Sequence, residues 1–250
     1  CGLDGLLRLR AQEGRLTGII NGIDTDWNPR RDPHLDCHFE AGESKSRQAN
    51  AEVVRQAFGL AASRGPLFAV ISRLVHQKGV DLTIQATETI VRQGGQIVVT
   101  GRGDARLEAE ITELARHYPE RVGVRSGYEE KLARQMYAGS DFLLMPSRFE
   151  PCGLTQMYAQ KFGSLPVAHQ TGGLADTIED GVTGFLFPEP SLASMLNAVY
   201  RSFDTFSSAR RLGAMRRAAM KRRFSWQQSA KRYTEVYEHA SSSTSARRLA

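Results

Sequence analysis

The chain has 250 residues, 41% hydrophobic and 24% charged, with 33 basic against 27 acidic side chains for a net charge of +6. These proportions are those of a globular protein with one large domain or two small ones. No apolar run approaches the roughly 18–20 residues that span a bilayer, and no basic face with interleaved aromatics points to nucleic acid, so the surplus charge suits a small anionic ligand.

The three cysteines, Cys1, Cys37 and Cys152, are odd in number and far apart, with no Cys-x-x-Cys pair or histidine cluster. No metal site is predicted, and a reducing, cytoplasmic compartment is expected. Cys1-Gly2-Leu3-Asp4-Gly5 has no Met and does not resemble a signal peptide, so the chain reads as a fragment of a longer protein.

In chain order, residues 1 to about 20 hold Leu3, Leu6, Leu7 and Leu9, then the run Leu16 to Ile20. Asn21-Gly22-Ile23-Asp24 marks a turn, and residues 25 to about 45, with Pro29 and Pro33, read as a surface loop. Ala49, Val53, Ala57 and Phe58 mark a helix that stops at Gly59. From Leu67 onward, strands are predicted at Leu67–Ile71, Gln96–Thr100, Arg121–Arg125, Phe142–Met145, Leu165–Ala168 and Gly184–Phe187. Helices alternate with them at about 79–93, 104–117, 129–138, 153–163 and 173–179, with Asp104 as an N-cap. Near-continuous apolar strands alternating with helices predict a doubly wound, Rossmann-like parallel sheet of the α/β class. The tail is helical up to about residue 240, and 241–250 is expected to be disordered.

In such sheets ligands bind beyond the carboxyl ends of the strands. There the sequence places Ser72-Arg73 with Lys78-Gly79, Gly101-Arg102-Gly103-Asp104, Gly127-Tyr128, Ser147 to Thr155, and Thr171-Gly172-Gly173. Arg73 can grip a diphosphate as a bidentate fork and Lys78 as a point charge, although both also fit solvated loop positions. The stretch Glu150-Pro151-Cys152-Gly153-Leu154-Thr155 is a strand-to-helix turn whose free amides form an anion site. Glu150 puts a fixed carboxylate beside that site, which suits a ligand with phosphate at one end and hydroxyls or developing positive charge at the other. A nucleotide-sugar fits. Tyr128 can stack on a base or be a half-buried loop aromatic. Gly101-x-Gly103 favours a tight turn over a binding loop. Cys152 is either a small residue at a helix start or a reactive thiol. Tyr158 reads as core, and His76 and His169 have no evident role.

Ser72-Arg73-Leu74 through Lys78-Gly79, Ser147-Arg148-Phe149-Glu150-Pro151-Cys152-Gly153-Leu154-Thr155-Gln156 and Thr171-Gly172-Gly173-Leu174-Ala175-Asp176-Thr177 resemble bacterial-type glycogen synthase and plant starch synthase. The resemblance extends over nearly the whole chain. It implies the C-terminal lobe of a two-lobed (GT-B) glycosyltransferase, with residues 1–20 a remnant of the N-terminal lobe and hinge, 21–240 the nucleotide-sugar-binding lobe, and 241–250 the tail. It implies retaining transfer of glucose from ADP-glucose, the donor substrate, to the non-reducing end of an α-1,4-glucan, with no cofactor. Glu150, Arg73 and Lys78 carry the implied catalytic roles: the two cations at the diphosphate, Glu150 at the glucose. Tyr128 is placed against adenine, and Cys152, Gly153, Leu154, Thr155, Gly172 and Gly173 complete the implied donor-binding set. Related transferases have a second acid eight positions after the first, where Tyr158 stands here. The N-terminal lobe, with its Lys-x-Gly-Gly loop, is a required partner, so the isolated chain is expected to be inactive. Two other readings stay open: a transferase using another donor such as a UDP-sugar, and a non-catalytic nucleotide-binding module.

Overall fold

A computed structural model describes the backbone of residues 2–248 and the side chains of residues 2–241; Cys1 and residues 249–250 lie outside the described residues. The backbone forms two compact units, one spanning Thr25–Arg222, the other joining the segment up to Asp24 with that from Arg223 onward. This division differs from the sequence reading, which keeps residues 21–240 together.

The larger unit is built on six parallel strands: β1 (Leu67–Ile71), β2 (Gln96–Gly101), β3 (Val122–Ser126), β4 (Phe142–Met145), β5 (Leu165–His169) and β6 (Phe185–Phe187). Their spatial order is β3-β2-β1-β4-β5-β6, the Rossmann order. Every residue of β1, β2, β4, β5 and β6 is buried, as strands covered on both faces must be. β3 lies at the edge, and its last two residues are exposed. The order of succession reverses between β1 and β4, the switch point beyond whose strand ends sheets of this order bind their ligands.

Helices α2 (Ser44–Ala57), α5 (Glu130–Gly139) and α6 (Thr155–Lys161) pack in one layer. Helices α3 (Val80–Arg92), α4 (Ala105–His117) and α8 (Leu192–Phe206) pack in another, with α9 (Ala209–Lys221) beside α8. The amphipathic α3 buries Leu82, Ala86 and Ile90, which join Phe68, Phe142, Met195 and Val199 in one apolar cluster. α4 begins as its sequence predicts, with the Asp104 carboxylate accepting from the amides of Arg106 and Leu107.

The stretch 25–43 has no regular secondary structure and is largely exposed, as a surface loop is, but single residues anchor it. Trp27, Asp32, Leu35 and Phe39 are buried. Trp27 stacks on Tyr158 of α6 at 3.6 Å, the Arg134 guanidinium lies 4.0 Å from the Trp27 ring, and Arg134 donates to Asp32 at 2.7 Å. Tyr158 is thus a packing partner of Trp27. A short helix, α7 (Gly172–Thr177), follows β5.

In the smaller unit, α1 (Asp4–Gln12) has no buried residue, and α10 runs Trp226–Arg248. Ile23 pairs with Ser225, its amide donates to Phe224, and Ser229 donates to the Ile20 carbonyl. These bonds tie the C-terminal helix to the N-terminal segment. α10 continues into the stretch expected to be a disordered tail, as far as Arg248. Among the described residues no helix is long and apolar enough to cross a membrane.

Candidate active site

The loop leaving β1 carries Arg73, then one 3-10 turn, His76–Lys78, then Gly79 at the start of α3. Gly79 has φ +68, and a Cβ there would overlap the Pro146 carbonyl at the exit of β4. Only glycine permits this approach, and the approach seats Lys78 against the β4 loop. Lys78 forms an ion pair with Glu150, their side chains only 18% and 9% exposed. Ser147 donates to the same carboxylate oxygen at 3.3 Å, and the other oxygen of Glu150 accepts no protein hydrogen bond among the described residues.

Gln77 ties the two loops together. Its backbone carbonyl accepts from Arg148, its side-chain amide donates to Phe149, and its side-chain oxygen accepts from Arg73 at 3.3 Å. Arg148 grips both oxygens of Asp81, in the first turn of α3, at 2.8 and 2.7 Å, and also donates to the His76 carbonyl. The Arg148 fork holds the Asp81 carboxyl below its usual value, and Asp81 in turn raises Arg148. Arg73 is exposed, with Gln77 its one side-chain acceptor among the described residues, so most of its fork faces outward.

After β5, Gly172 (φ +45) and Gly173 press against the Glu150–Cys152 turn, where a Cβ on Gly172 would overlap the Glu150 carbonyl and one on Gly173 the Cys152 carbonyl. The amide of Gly173 donates to the Glu150 carbonyl at 3.0 Å. Buried Gln156 donates to the carbonyls of Cys152 and Gly153, turning those oxygens toward the helix. The amides of Gly153 and Leu154 donate to no protein acceptor among the described residues. Thr155 hydrogen-bonds Tyr137, whose phenol burial pushes far above the ordinary range. Cys152 is half-buried and free. His169 bonds the Ser147 carbonyl at 2.7 Å, joining the ends of β4 and β5.

The structure therefore brings Arg73, Lys78 and Glu150 together where the β1 and β4 loops meet, with the Cys152-Gly153-Leu154-Thr155 turn following Glu150 and Gly172 and Gly173 packed on that turn. Tyr128 stands apart from this group, after β3. It is 68% exposed and forms a wall of a cleft of about 540 Å3 with Thr100, Gly127, Lys131 and Leu132. Gly101 and Gly103 pack on the carbonyls of Ser72 and Leu74, so they support the Arg73 loop as a tight turn. Sequence reasoning assigned no part to Gln77, Ser147, Arg148, Gln156 or His169. The polar residues immediately flanking Lys78 and Glu150 were the available signal for the first three. Among the described residues no group of three or more His, Cys, Asp or Glu could hold a metal ion.

An exposed guanidinium, an ammonium paired with a carboxylate, and unbonded amides at a helix start can hold a diphosphate and present one acid to whatever the diphosphate carries. Residues 55–214 match the family described as glycosyl transferases group 1. The chain is 56% identical over 246 residues to a glycogen synthase of Xanthomonas axonopodis pv. citri (strain 306), covering 98% of this chain and 52% of that protein. It is 55% identical over 237 residues to glycogen synthase 1 of Bradyrhizobium diazoefficiens, covering 95% and 51%. The catalytic domain of starch synthase IV from Arabidopsis thaliana, solved with ADP and acarbose, matches with a TM-score of 0.88 and 34% identity over 96% of this chain and 52% of that one. Sucrose-phosphate synthase from Thermosynechococcus elongatus shares the fold, with a TM-score of 0.65 and 21% identity over 90% and 52%. The chain spans about half the length of these relatives.

Proposed function

The chain belongs to the glycosyl transferases group 1 family, and on that premise we propose that it is the donor-binding half of a retaining glycogen or starch synthase. The donor is ADP-glucose, and the acceptor is the non-reducing end of an α-1,4-glucan. The observation that carries this reading is the pairing of Lys78 with Glu150 at the strand reversal, with Arg73 held beside them by Gln77. Two cations and one acid in one crevice suit a molecule whose diphosphate leaves while its sugar carbon turns positive.

In the proposed reaction Arg73 and Lys78 take up the negative charge that grows on the departing diphosphate. Release of Glu150 by Lys78 frees the carboxylate to orient the glucose and offset the oxocarbenium-like charge at its reacting carbon. The amides of Gly153 and Leu154 add fixed donors at the phosphates. Glu150 is an electrostatic group here and not a nucleophile. The cationic side chains take the part a metal ion plays at many diphosphates, so the reading calls for no cofactor. The base of the donor lies against Tyr128. The acceptor side of the cleft belongs to the other half, which the longer relatives contain. Free Cys37 and Cys152 accord with a reducing, cytoplasmic setting.

The test is a glucosyl-transfer assay on a fusion of this chain to the N-terminal half of the Xanthomonas glycogen synthase. Transfer from ADP-glucose to glycogen, with UDP-glucose a poor substitute, is the expected result. An inert fusion that still binds ADP favours a binding module, and a preference for UDP-glucose overturns the donor assignment.

A further inference from the structure

At the other end of the sheet, where the chain enters β1 and β4, a cleft of about 270 Å3 is lined by Arg47, Arg55, Arg64 and Arg216. One carboxylate, Asp141, lines it with them. Arg216 binds Asp141 and the Gly163 carbonyl, leaving one terminal nitrogen with no protein acceptor among the described residues. Arg55 binds Gln96 and Glu52, likewise leaving one terminal nitrogen unbonded. Arg64 is exposed and bonds no protein group among the described residues. Arg47 is 6% exposed and donates to the carbonyls of Ser140 and Phe162, and its Nε is buried without an acceptor. Burial first, and the like charge of Arg216 second, hold Arg47 well below the usual arginine range.

The first turn of α2 opens on the same cleft through Ser44; its N-cap residue, Glu43, makes no capping bond and accepts from the Glu40 amide instead. Four guanidiniums stand against two carboxylates, Asp141 on Arg216 and Glu52 on Arg55, so the cleft keeps a positive surplus. The volume falls just below the roughly 300–1,000 Å3 of pockets for drug-sized ligands, which favours a small anion over a nucleotide-sugar.

We infer that this cleft is a second anion site, fitted to a phosphate dianion, free or as the end of a small phosphomonoester, and separate from the donor crevice. Arg55, Arg64 and Arg216 line this space and each keeps guanidinium donors that no described protein group accepts, and a tetrahedral dianion satisfies both their charge and their bonds.

Calorimetric titration of the 250-residue chain with inorganic phosphate, and separately with glycerol 3-phosphate, tests this at constant ionic strength in chloride. With the donor site filled by saturating ADP, one site is expected, weakened about tenfold by Arg64→Glu, which sets a carboxylate in the phosphate's place. The more tightly bound of the two probes identifies the free ion or the ester as the ligand. Arg64 has no protein partner to lose, and an unchanged thermal midpoint for its variant confirms that folding is intact. The inference is overturned by no saturable binding of either probe up to about 10 mM. It is equally overturned if saturating ADP abolishes all phosphate binding, or if Arg64→Glu leaves the remaining binding alone.

Discussion

Lys78 meets two anions in the proposed cycle, Glu150 first and the leaving diphosphate second. Glu150→Gln removes its first partner. In the two-half fusion kcat should fall by about a hundredfold or more, while ADP affinity of the 250-residue chain holds or tightens, since Lys78 is then free for phosphate. Near-normal kcat, or ADP binding lost with the charge, would contradict the role given to Glu150. Arg148 and Asp81 hold the loop that carries Glu150. With its pKa lowered below the ordinary 3.8 in the folded state, Asp81 contributes stability that is fully present above that value and lost as pH falls through the folded-state pKa. Asp81→Asn should therefore cost about 1–3 kcal/mol at pH 7, with the gap to wild type closing toward pH 3 in urea titrations. A gap that stays constant with pH would rule out this pair as its source. Arg73, Lys78 and Glu150 were legible because unusual residues at strand ends advertise a site. The Arg148–Asp81 pair was not, because its members lie 67 positions apart and nothing local announces the partner.

Among the elements, the strands were the easiest to read. Leu67–Ile71 and Phe142–Met145 are unbroken apolar runs between polar turns, and both strands have those bounds in the structure. The loop at 25–43 was legible but its buried anchors were not, because they are single residues without periodicity. Trp27 and Asp32 acquire their meaning only from Tyr158 and Arg134, more than a hundred positions away. Gly79 was legible as a motif residue, but its reason is the Pro146 carbonyl it faces. Gly59 supplies a comparison, with nearly the same φ, +67, and open space around it. Each glycine changed to alanine should cost about 1–2 kcal/mol for the left-handed backbone, and Gly79→Ala should cost at least about 2 kcal/mol more through overlap and loop displacement. Urea unfolding of both variants measures the difference. Equal losses would mean that the β1 and β4 loops do not depend on that close approach.

At the scale of the whole molecule, the chain matches about half of each longer relative. On the proposed reading it carries the diphosphate side of the cleft, and the other half carries the acceptor side. Alone it should transfer no measurable glucose from ADP-glucose to glycogen, and robust turnover would show that the sheet needs no second half. The division into units was not legible, since the bond from Ser229 to Ile20 joins positions 209 apart. The central claim, that the crevice between β1 and β4 holds a nucleoside diphosphate, is tested most directly by titrating ADP into the 250-residue chain and its Arg73→Ala and Lys78→Ala variants by calorimetry. One ADP per chain, with each variant weakening binding about tenfold or more, is the predicted result. ADP that fails to bind, or binds all three proteins alike, contradicts it.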